Sequence, residues 1–253
     1  MKIDYYAYRS GIKNWNSQLK VLLAVITLCL VIVLNNIPVS LFVILSMGIL
    51  TLVVGKTPFK VYLHLMTIPL TFIILSTITI ALQFAGCPVG KWCVSAHFFY
   101  IYVTKSSIMI AVNVFFKSMA GMSALYMMSL STPVNEFIIV LQKMHLPKIL
   151  AELMNLIYRY IFILFEVANQ MQIAAKARLG YQTFFRSCKS FAGIAGNLFL
   201  ISLKKAGAYY DALLSRGYNG TLEFLTEEHP VKVWQIIGSM LYFMLLVIIA
   251  VIG

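Results

Sequence analysis

The sequence predicts an all-α polytopic membrane protein with about five transmembrane helices and a cytoplasmic region of one short and two long amphipathic helices. Of its 253 residues, 61% are hydrophobic and 11% are charged, whereas soluble domains carry roughly 25% charged residues. Five apolar runs approach the roughly 20 residues that cross a bilayer. The segment 131–230 lacks a clean spanning pattern and holds ten of the twenty Lys and Arg residues. The chain therefore divides into 1–130, 131–230 and 231–253.

The net charge of +12 is better explained by membrane orientation and lipid headgroups than by nucleic acid. The basic residues cluster between apolar spans and do not alternate with aromatic residues on a soluble fold. We therefore expect the lipid bilayer as a partner and no nucleic acid. The first twenty residues are followed by no small-residue cleavage site, so no removable signal peptide is expected.

The four N-terminal spans come first in the chain. The Asn-Asn-x-Pro sequence at 35–38 is turn chemistry, so the first two spans form a tight helical hairpin. Segment 85–105 contains Trp92 and several tyrosines and is expected to lie as a loop at the membrane interface. A fifth span is predicted at 231–252. The four N-terminal spans are predicted at 18–34, 37–54, 62–84 and 107–130.

Lysine and arginine residues near the span ends predict the orientation. The segment before the first span is basic, the first hairpin turn has no basic residue, and the second connection carries Lys56 and Lys60. This pattern favours a cytoplasmic N-terminus, which with five spans also puts 131–230 in the cytoplasm and the C-terminus outside. Lys91 and Lys105 in the outer loop weaken the bias. The predicted location is the inner or plasma membrane of the cell.

The cytoplasmic region begins with a short amphipathic helix. The sequence Ser-Thr-Pro-Val-Asn-Glu-Phe at 131–137 is a good helix start, and the helix should run to about His145. From Lys148 onwards, apolar residues recur at steps of three and four over seven turns. This stripe predicts one long amphipathic helix that ends within 175–180.

A second long helix is predicted after the first. Residues 184–203 are apolar enough to suggest a sixth span, but Arg186, Lys189 and Asn197 make this segment poor for burial in lipid. The helical spacing of apolar residues continues beyond it and stops at 215–217. The second helix is therefore also expected outside the bilayer.

Both long helices are predicted to end in the same way, on a small residue, an arginine and a nearby glycine. Glycine caps and cations in the last turn are ordinary at helix ends, because they suit the left-handed backbone and the helix dipole. The dipole does not require arginine rather than lysine, however, so two copies 38 residues apart leave a binding role open beside the capping role. The two sets are Ala177, Arg178 and Gly180 in the first helix and Ser215, Arg216 and Gly217 in the second.

The chain resembles the transmembrane T component (EcfT family) of energy-coupling-factor (ECF) transporters, which are ABC-type importers of vitamins and metal ions. It is most similar to the cobalt-type subunit CbiQ. The resemblance covers nearly the whole chain, and the paired arginine motifs are its specific part. It also rests on the four N-terminal spans, Ser-Thr-Pro at 131–133, Leu-Pro-Lys-Ile-Leu at 146–150 and Tyr-Arg-Tyr-Ile at 158–161.

This resemblance implies a scaffold between two cytoplasmic ABC-type ATPase subunits and a membrane-embedded substrate-binding S component. It implies that the two long helices cross as coupling helices and that Arg178 and Arg216 each dock in a groove of one ATPase. A guanidinium suits this role because it can hold a carboxylate or carbonyls bidentately across an interface. Ala177, Ser215 and Gly217 would permit close approach.

The chain departs from the family pattern at both motifs. Leu179 stands where the family usually has glycine, with Gly180 one place later, and Ser215 replaces alanine. The first docking geometry is therefore less regular than the second. The Arg-Gly-Tyr-Asn-Gly tail at 216–220 resembles that of the cobalt subunit and implies cobalt as the transported ion, although nickel is nearly as compatible. In this family the S component selects the substrate.

Two further groups of polar residues are candidate sites. Lys117, with Asn113 one turn before it, lies inside the fourth span, where a cation either faces a partner or orders the helix bundle. Cys87, Cys93 and His97 lie in the predicted outer loop and are compatible with a metal site or a disulfide. Structural zinc ligands are usually closer in sequence, so no metal site is predicted.

Nothing in the sequence predicts an enzyme. There is no nucleophile with its base, no paired-carboxylate site and no phosphate-binding loop, and no cofactor is predicted. A membrane-embedded hydrolase would need convergent acidic or histidine residues, and the spans offer only His64. A self-sufficient secondary transporter would show inverted repeats with broken helices, which the sequence lacks. These two classes are the alternatives to a non-catalytic coupling subunit.

Overall fold

A computed structural model describes residues 2–85, 93–96, 99–102, 104–220 and 230–252. Contacts divide the chain into two compact units, a first unit of 1–140 with 227–253 and a second unit of 141–226. The first unit contains α3, which continues into a π-helical turn at Leu50–Val54. The helices are α1 Lys2–Arg9, α2 Ser17–Leu34, α3 Ile37–Ile49, α4 Phe59–Ala81, α5 Lys105–Ser131, α6 Val134–Lys143, α7 Lys148–Ala177, α8 Phe184–Ser215 and α9 Val233–Ile252.

Five of these helices are long and apolar enough to cross a membrane. They coincide with the five predicted spans within a few residues, so the predicted helical membrane fold is confirmed and the protein crosses the membrane several times. Within the described residues, α7 and α8 do not meet the same criterion. The five helices or helical stretches are Ser17–Leu34, Ile37–Val54, Phe59–Ala81, Lys105–Ser131 and Val233–Val251.

Three short strands were not predicted and qualify the expectation of purely helical structure. They lie in the predicted interface loop 85–105 and in the last residues of the predicted third span, and they form one antiparallel sheet in the order β1-β3-β2. Aromatic and β-branched residues are enriched in this segment, and such residues favour strands. The strands are β1 Gln83–Ala85, β2 Cys93–Ala96 and β3 Phe99–Tyr102.

The predicted hairpin of the first two spans is present. The Asn16 side chain caps α2 by accepting hydrogen bonds from the amides of Gln18 and Leu19 at 3.0 and 3.3 Å, which satisfies donors that a helix start leaves unpaired. Asn35 ends α2 in the left-handed conformation at φ 47°, which asparagine tolerates better than most residues. Pro38 then lies in the first turn of α3, where its missing N–H costs little.

Helix α5 is the centre of the first unit, since α1, α2, α3 and α4 all pack against it. Ala24 of α2 and Ala120 and Ala124 of α5 are buried in the main core cluster. Small residues at such positions let helix backbones approach closely, which is how helices associate within lipid. The other buried members of this cluster are Val31, Val39, Val43, Met47, Met127 and Leu246.

Polar side chains join the helices of this unit at specific points. The Tyr62 hydroxyl of α4 lies 3.1 Å from the Ser123 hydroxyl of α5, and the Tyr126 hydroxyl donates to the Leu65 carbonyl at 2.8 Å. Such bonds between spans are worth about 1 kcal/mol each. They fix the α4 to α5 pairing that the apolar contacts alone would leave free to slide.

The second unit is built from α7 and α8 and contains little buried side-chain surface. Ala151 is the buried residue of α7, and α8 has none. Tyr160 of α7 and Tyr209 of α8 meet edge to face, with ring centroids 5.7 Å apart. Desolvation by burial and then the Tyr209 phenol raise the pKa of Tyr160, so its hydroxyl stays protonated at neutral pH. The apolar stripes of both helices are thus largely uncovered in the isolated chain.

Candidate functional site

The first arginine motif lies at the C-terminal end of α7. Ala177 is the last helical residue and Arg178 is the cap. The amides of Leu179 and Gly180 donate to the carbonyls of Lys176 and Ala175 at 3.0 and 2.9 Å. The later amide thus bonds to the earlier carbonyl, and this pair of hydrogen bonds defines the Schellman motif at a helix C-terminus.

The second arginine motif repeats this geometry at the end of α8. Ser215 is the last helical residue and Arg216 is the cap. The amides of Gly217 and Tyr218 donate to the carbonyls of Leu214 and Leu213 at 3.0 and 3.1 Å. The two motifs therefore have the same backbone hydrogen bonds, and their arginines occupy equivalent positions.

The equivalent backbones show which residues of the two motifs correspond. The left-handed position is held by Gly217 at φ 80° in the second motif and by Leu179 at φ 59° in the first. A leucine in that region costs roughly 1–2 kcal/mol, whereas glycine adopts it freely. Leu179 is the structural counterpart of Gly217, at the position where the sequence motif departs from the usual glycine, and Gly180 lies one residue later.

Gly180 is required for a different reason. A Cβ atom at this position would lie 2.5 Å from the Ser190 hydroxyl oxygen and 2.9 Å from the Ala175 carbonyl oxygen. The Ser190 hydroxyl donates to the Gly180 carbonyl at 2.9 Å, which ties the end of α7 to the beginning of α8. Gly180 thus permits close packing between the two helices rather than a special backbone angle.

Both motif arginines are exposed. Within the described part of the chain, neither the Arg178 nor the Arg216 guanidinium has a carboxylate within ion-pair distance. Because Ser190 holds the end of α7, Arg178 lies near the start of α8 and Arg216 lies at its far end. The segment from Ser190 to Ser215 measures about 38 Å at 1.5 Å per residue. The two guanidiniums are therefore presented at well-separated points of the second unit.

A buried ion pair, which the sequence did not predict, joins three parts of the first unit. Lys20 of α2 is 3% exposed, and its ammonium lies 3.3 Å from the Glu136 carboxylate of α6. The same ammonium donates to the Ser131 carbonyl at 3.1 Å and to the Ile12 carbonyl at 3.4 Å. The Ser17 hydroxyl donates to the same Glu136 oxygen. The start of α6 is thereby attached to α2 and to the end of α5.

Both members of this ion pair have the partners that a buried charge needs. A charged group taken out of water needs a partner and further hydrogen bonds, or its burial costs several kcal/mol. Lys20 has four oxygen neighbours, and Glu136 lies in the first turn of α6, where the helix dipole favours negative charge. The sequence signal was available: Lys20 is charged at the start of an apolar run, and the whole chain has only eight acidic residues.

Lys117 lies within α5, as predicted, and its ammonium reaches the turn between α2 and α3. It donates to the Asn35 side-chain oxygen at 3.1 Å, and the Asn113 amide donates to the Asn35 carbonyl at 3.2 Å. Lysine side chains on a helix point toward its N-terminus and can extend their charge to a polar level. The contact therefore brings the charge to a connection between two spans.

The remaining candidate residues form no described site. Cys87 and His97 lie outside the described residues, as does His229, and of Cys93 only the backbone in β2 is described. Among the residues that the structure describes, no group of three or more His, Cys, Asp or Glu side chains could hold a metal ion. His64 lies on α4 without such neighbours.

Comparison with known proteins places the chain in a family. The profile of CbiQ, described as cobalt transport protein, matches residues 9–227. The chain belongs to the CbiQ family of cobalt transport proteins. As a CbiQ family member with five candidate spans, it is a multi-pass membrane component of cobalt transport. The predicted recognition is thus confirmed.

Three individual relatives are similar to this chain. An uncharacterized protein of Methanocaldococcus jannaschii is 30% identical over 229 residues, which are 90% of this chain and 85% of that protein. A putative fused cobalt transport protein CbiMQ of Methanocorpusculum labreanum is 30% identical over 230 residues, 90% of this chain and 38% of the fused protein. The cobalt transport protein CbiQ of Salmonella typhimurium is 29% identical over 142 residues, 53% of this chain and 60% of that protein.

Proposed function

We propose that this CbiQ family chain is the non-catalytic coupling subunit of an ECF-type cobalt importer. In this role it transmits the work of two cytoplasmic ATPase subunits to a membrane-embedded substrate-binding subunit. The observation that carries the proposal is the pair of equivalent helix endings, each presenting an exposed arginine without an acidic partner in the described chain. Their partners are then carboxylates or carbonyls of other subunits.

The spacing of the arginines supports two docking points rather than one. A separation of about 38 Å along α8 exceeds the roughly 30 Å diameter of a small domain. Arg178 and Arg216 therefore reach different bodies or distant parts of one large body. A dimer of ATPase subunits offers two equivalent grooves, which matches two motifs that share one backbone geometry.

The uncovered apolar stripes support a membrane partner for the second unit. Large side chains such as Phe165 and Phe191 are 73% and 71% exposed. Both belong to amphipathic helices whose other faces carry charged residues. Exposed apolar surface of this extent marks an interaction site with protein or lipid. A substrate-binding membrane subunit would cover it. The putative fused cobalt transport protein CbiMQ, of which this chain matches 38%, suggests that a further transport component accompanies the chain.

The test compares a double variant with a matched control in the assembled transporter. Arg178→Ala/Arg216→Ala should leave the chain in the membrane but lower both recovery of the ATPase subunits with a tagged chain and ATP-dependent uptake of radioactive cobalt. Each single variant should lose only part of the ATPase recovery, because the other docking point remains. Loss of a charge-assisted bidentate contact weakens binding by about tenfold or more.

The control removes the same charge from the same helices. Arg159→Ala/Lys204→Ala changes two exposed residues in the interior of α7 and α8, so it should assemble and transport normally. Normal ATPase recovery and uptake in the motif double variant would overturn the proposal. Cobalt uptake by the chain alone in vesicles would instead favour a self-sufficient secondary transporter.

A further inference from the structure

The first unit contains an open groove whose floor is α5 and whose walls are α2 and α4. Its volume is about 750 Å³, within the range of roughly 300–1,000 Å³ that is usual for ligand sites. Most of the lining is apolar, and Gly121 at the floor has no atom within 4 Å of an added Cβ. Lys117 lies at one end of the groove and Ser129 lines it toward the other end.

The depth of the groove is defined by the turn between α2 and α3. That turn joins two candidate spans, so Asn35 lies where the chain leaves the hydrocarbon. The Lys117 ammonium lies 3.1 Å from the Asn35 side-chain oxygen and therefore lies at the level of the lipid headgroups. This places a positive charge at the interface and an apolar channel beneath it.

The length of the groove suits an extended acyl chain. Lys117 to Ser129 spans about 18 Å of α5 at 1.5 Å per residue. The apolar lining between these two residues gives one acyl chain a continuous contact along α5.

The charge at the end of the groove selects among lipids. In the described part of the chain no carboxylate pairs with Lys117, and its ammonium has further donors to offer besides the bond to Asn35. An ammonium at the end of an apolar groove can form a charge-assisted hydrogen bond with the phosphate of an anionic headgroup.

We propose that this groove is a binding site for an anionic glycerophospholipid, with its phosphate at Lys117 and one acyl chain along α5 past Gly121. The site is independent of the proposed coupling role, because all of its residues lie in the first unit and none belongs to the arginine motifs. Bound lipid would fill the space between α2 and α4 and hold both helices on α5.

The experiment measures lipid retention by the purified full chain in detergent, using native mass spectrometry. Phosphatidylglycerol and phosphatidylcholine with identical acyl chains are the two probes. Wild type should retain phosphatidylglycerol preferentially, and Lys117→Met should lower that retention about tenfold, as expected for loss of one charge-assisted contact. Lys117→Arg keeps the charge and should restore the preference.

Two further variants separate the headgroup site from the groove. Lys105→Met removes a lysine from an exposed position of the same helix outside the groove, and it should retain phosphatidylglycerol like wild type. Gly121→Leu places a side chain in the empty space and should lower retention of both lipids. A melting temperature near that of wild type shows that each variant is folded.

Several results would overturn the proposal. Equal retention of the two lipids by wild type would remove the headgroup preference, and unchanged phosphatidylglycerol retention in Lys117→Met would remove the role of Lys117. Equal losses in Lys105→Met and Lys117→Met would indicate general charge attraction. Cross-linking of Gly121→Cys to a protein partner in the assembled complex would make the groove a protein interface.

Discussion

Replacing Lys20 by Met should be among the most destabilising single changes in the first unit. The substitution removes the ammonium that contacts the Ser131 and Ile12 carbonyls and Glu136, and it leaves the Glu136 carboxylate without its cation. Breaking a buried ion pair from one side costs about 3–5 kcal/mol, because the remaining charge loses its compensation. The Ser17 hydroxyl still donates to that carboxylate, which favours the lower end of the range.

The assay is thermal unfolding of the purified chain in detergent at a fixed scan rate. A loss of 1 kcal/mol lowers the melting temperature by about 2–4 °C for chains of 150–250 residues, so Lys20→Met should lower it by about 10 °C. Lys60→Met is the matched control, since Lys60 is exposed at the start of α4 and surface changes stay within about 0.5 kcal/mol. A shift below about 3 °C for Lys20→Met would refute the reasoning that the change leaves Glu136 as a buried carboxylate without a compensating cation.

The helix endings supply three smaller predictions. Leu179→Gly should stabilise the chain by about 1 kcal/mol, because glycine relieves the left-handed strain at φ 59° and the leucine side chain is 58% exposed; an unchanged melting temperature would contradict this strain. Gly217→Ala should cost about 1 kcal/mol by the same reasoning, and a neutral result would contradict it. Gly180→Ala should lower the melting temperature more than Gly193→Ala, since a Cβ at Gly180 meets the Ala175 carbonyl at 2.9 Å whereas Gly193 has free space.

The membrane spans could be predicted because their signal is local. Each span is a continuous apolar run, and the segment 35–38 contains asparagine and proline residues that are typical of turns. The hairpin and all five spans therefore follow from residues adjacent in sequence. The arginine motifs were found for the same reason, since each is a run of three or four residues at the end of a periodic stripe. Hydropathy and periodicity thus identify elements and their ends without knowledge of packing.

The contacts between elements could not be predicted in the same way. Lys20 and Glu136 are 116 residues apart, and Lys117 and Asn35 are 82 apart. On sequence grounds Lys20 could pair with any acidic residue and Lys117 with any polar one. Only the packing of α2, α5 and α6 selects these partners. The left-handed backbone of Leu179 was also hidden, because a leucine gives no signal of that conformation.

The Lys20–Glu136 pair also explains how the first unit holds the start of α6. Well-packed apolar residues would stabilise this location about as well as an ion pair, and replacing a buried pair by neutral residues is often neutral or stabilising. Unlike apolar packing, the pair fixes the orientation of the start of α6, since Glu136 must face one ammonium that is itself held by the Ser131 and Ile12 carbonyls. Because α6 leads along the chain into the second unit, a fixed start of α6 suits the proposed coupling function.

A double variant separates stability from this positioning. Lys20→Met/Glu136→Met should recover most of the melting temperature lost in Lys20→Met, because no unpaired charge remains. In the reconstituted transporter the same variant should still move fewer cobalt ions per ATP hydrolysed than wild type, since the start of α6 is no longer held in one orientation. Uptake per ATP equal to wild type in a variant of restored stability would show that the pair only holds the fold together and that apolar packing alone positions α6.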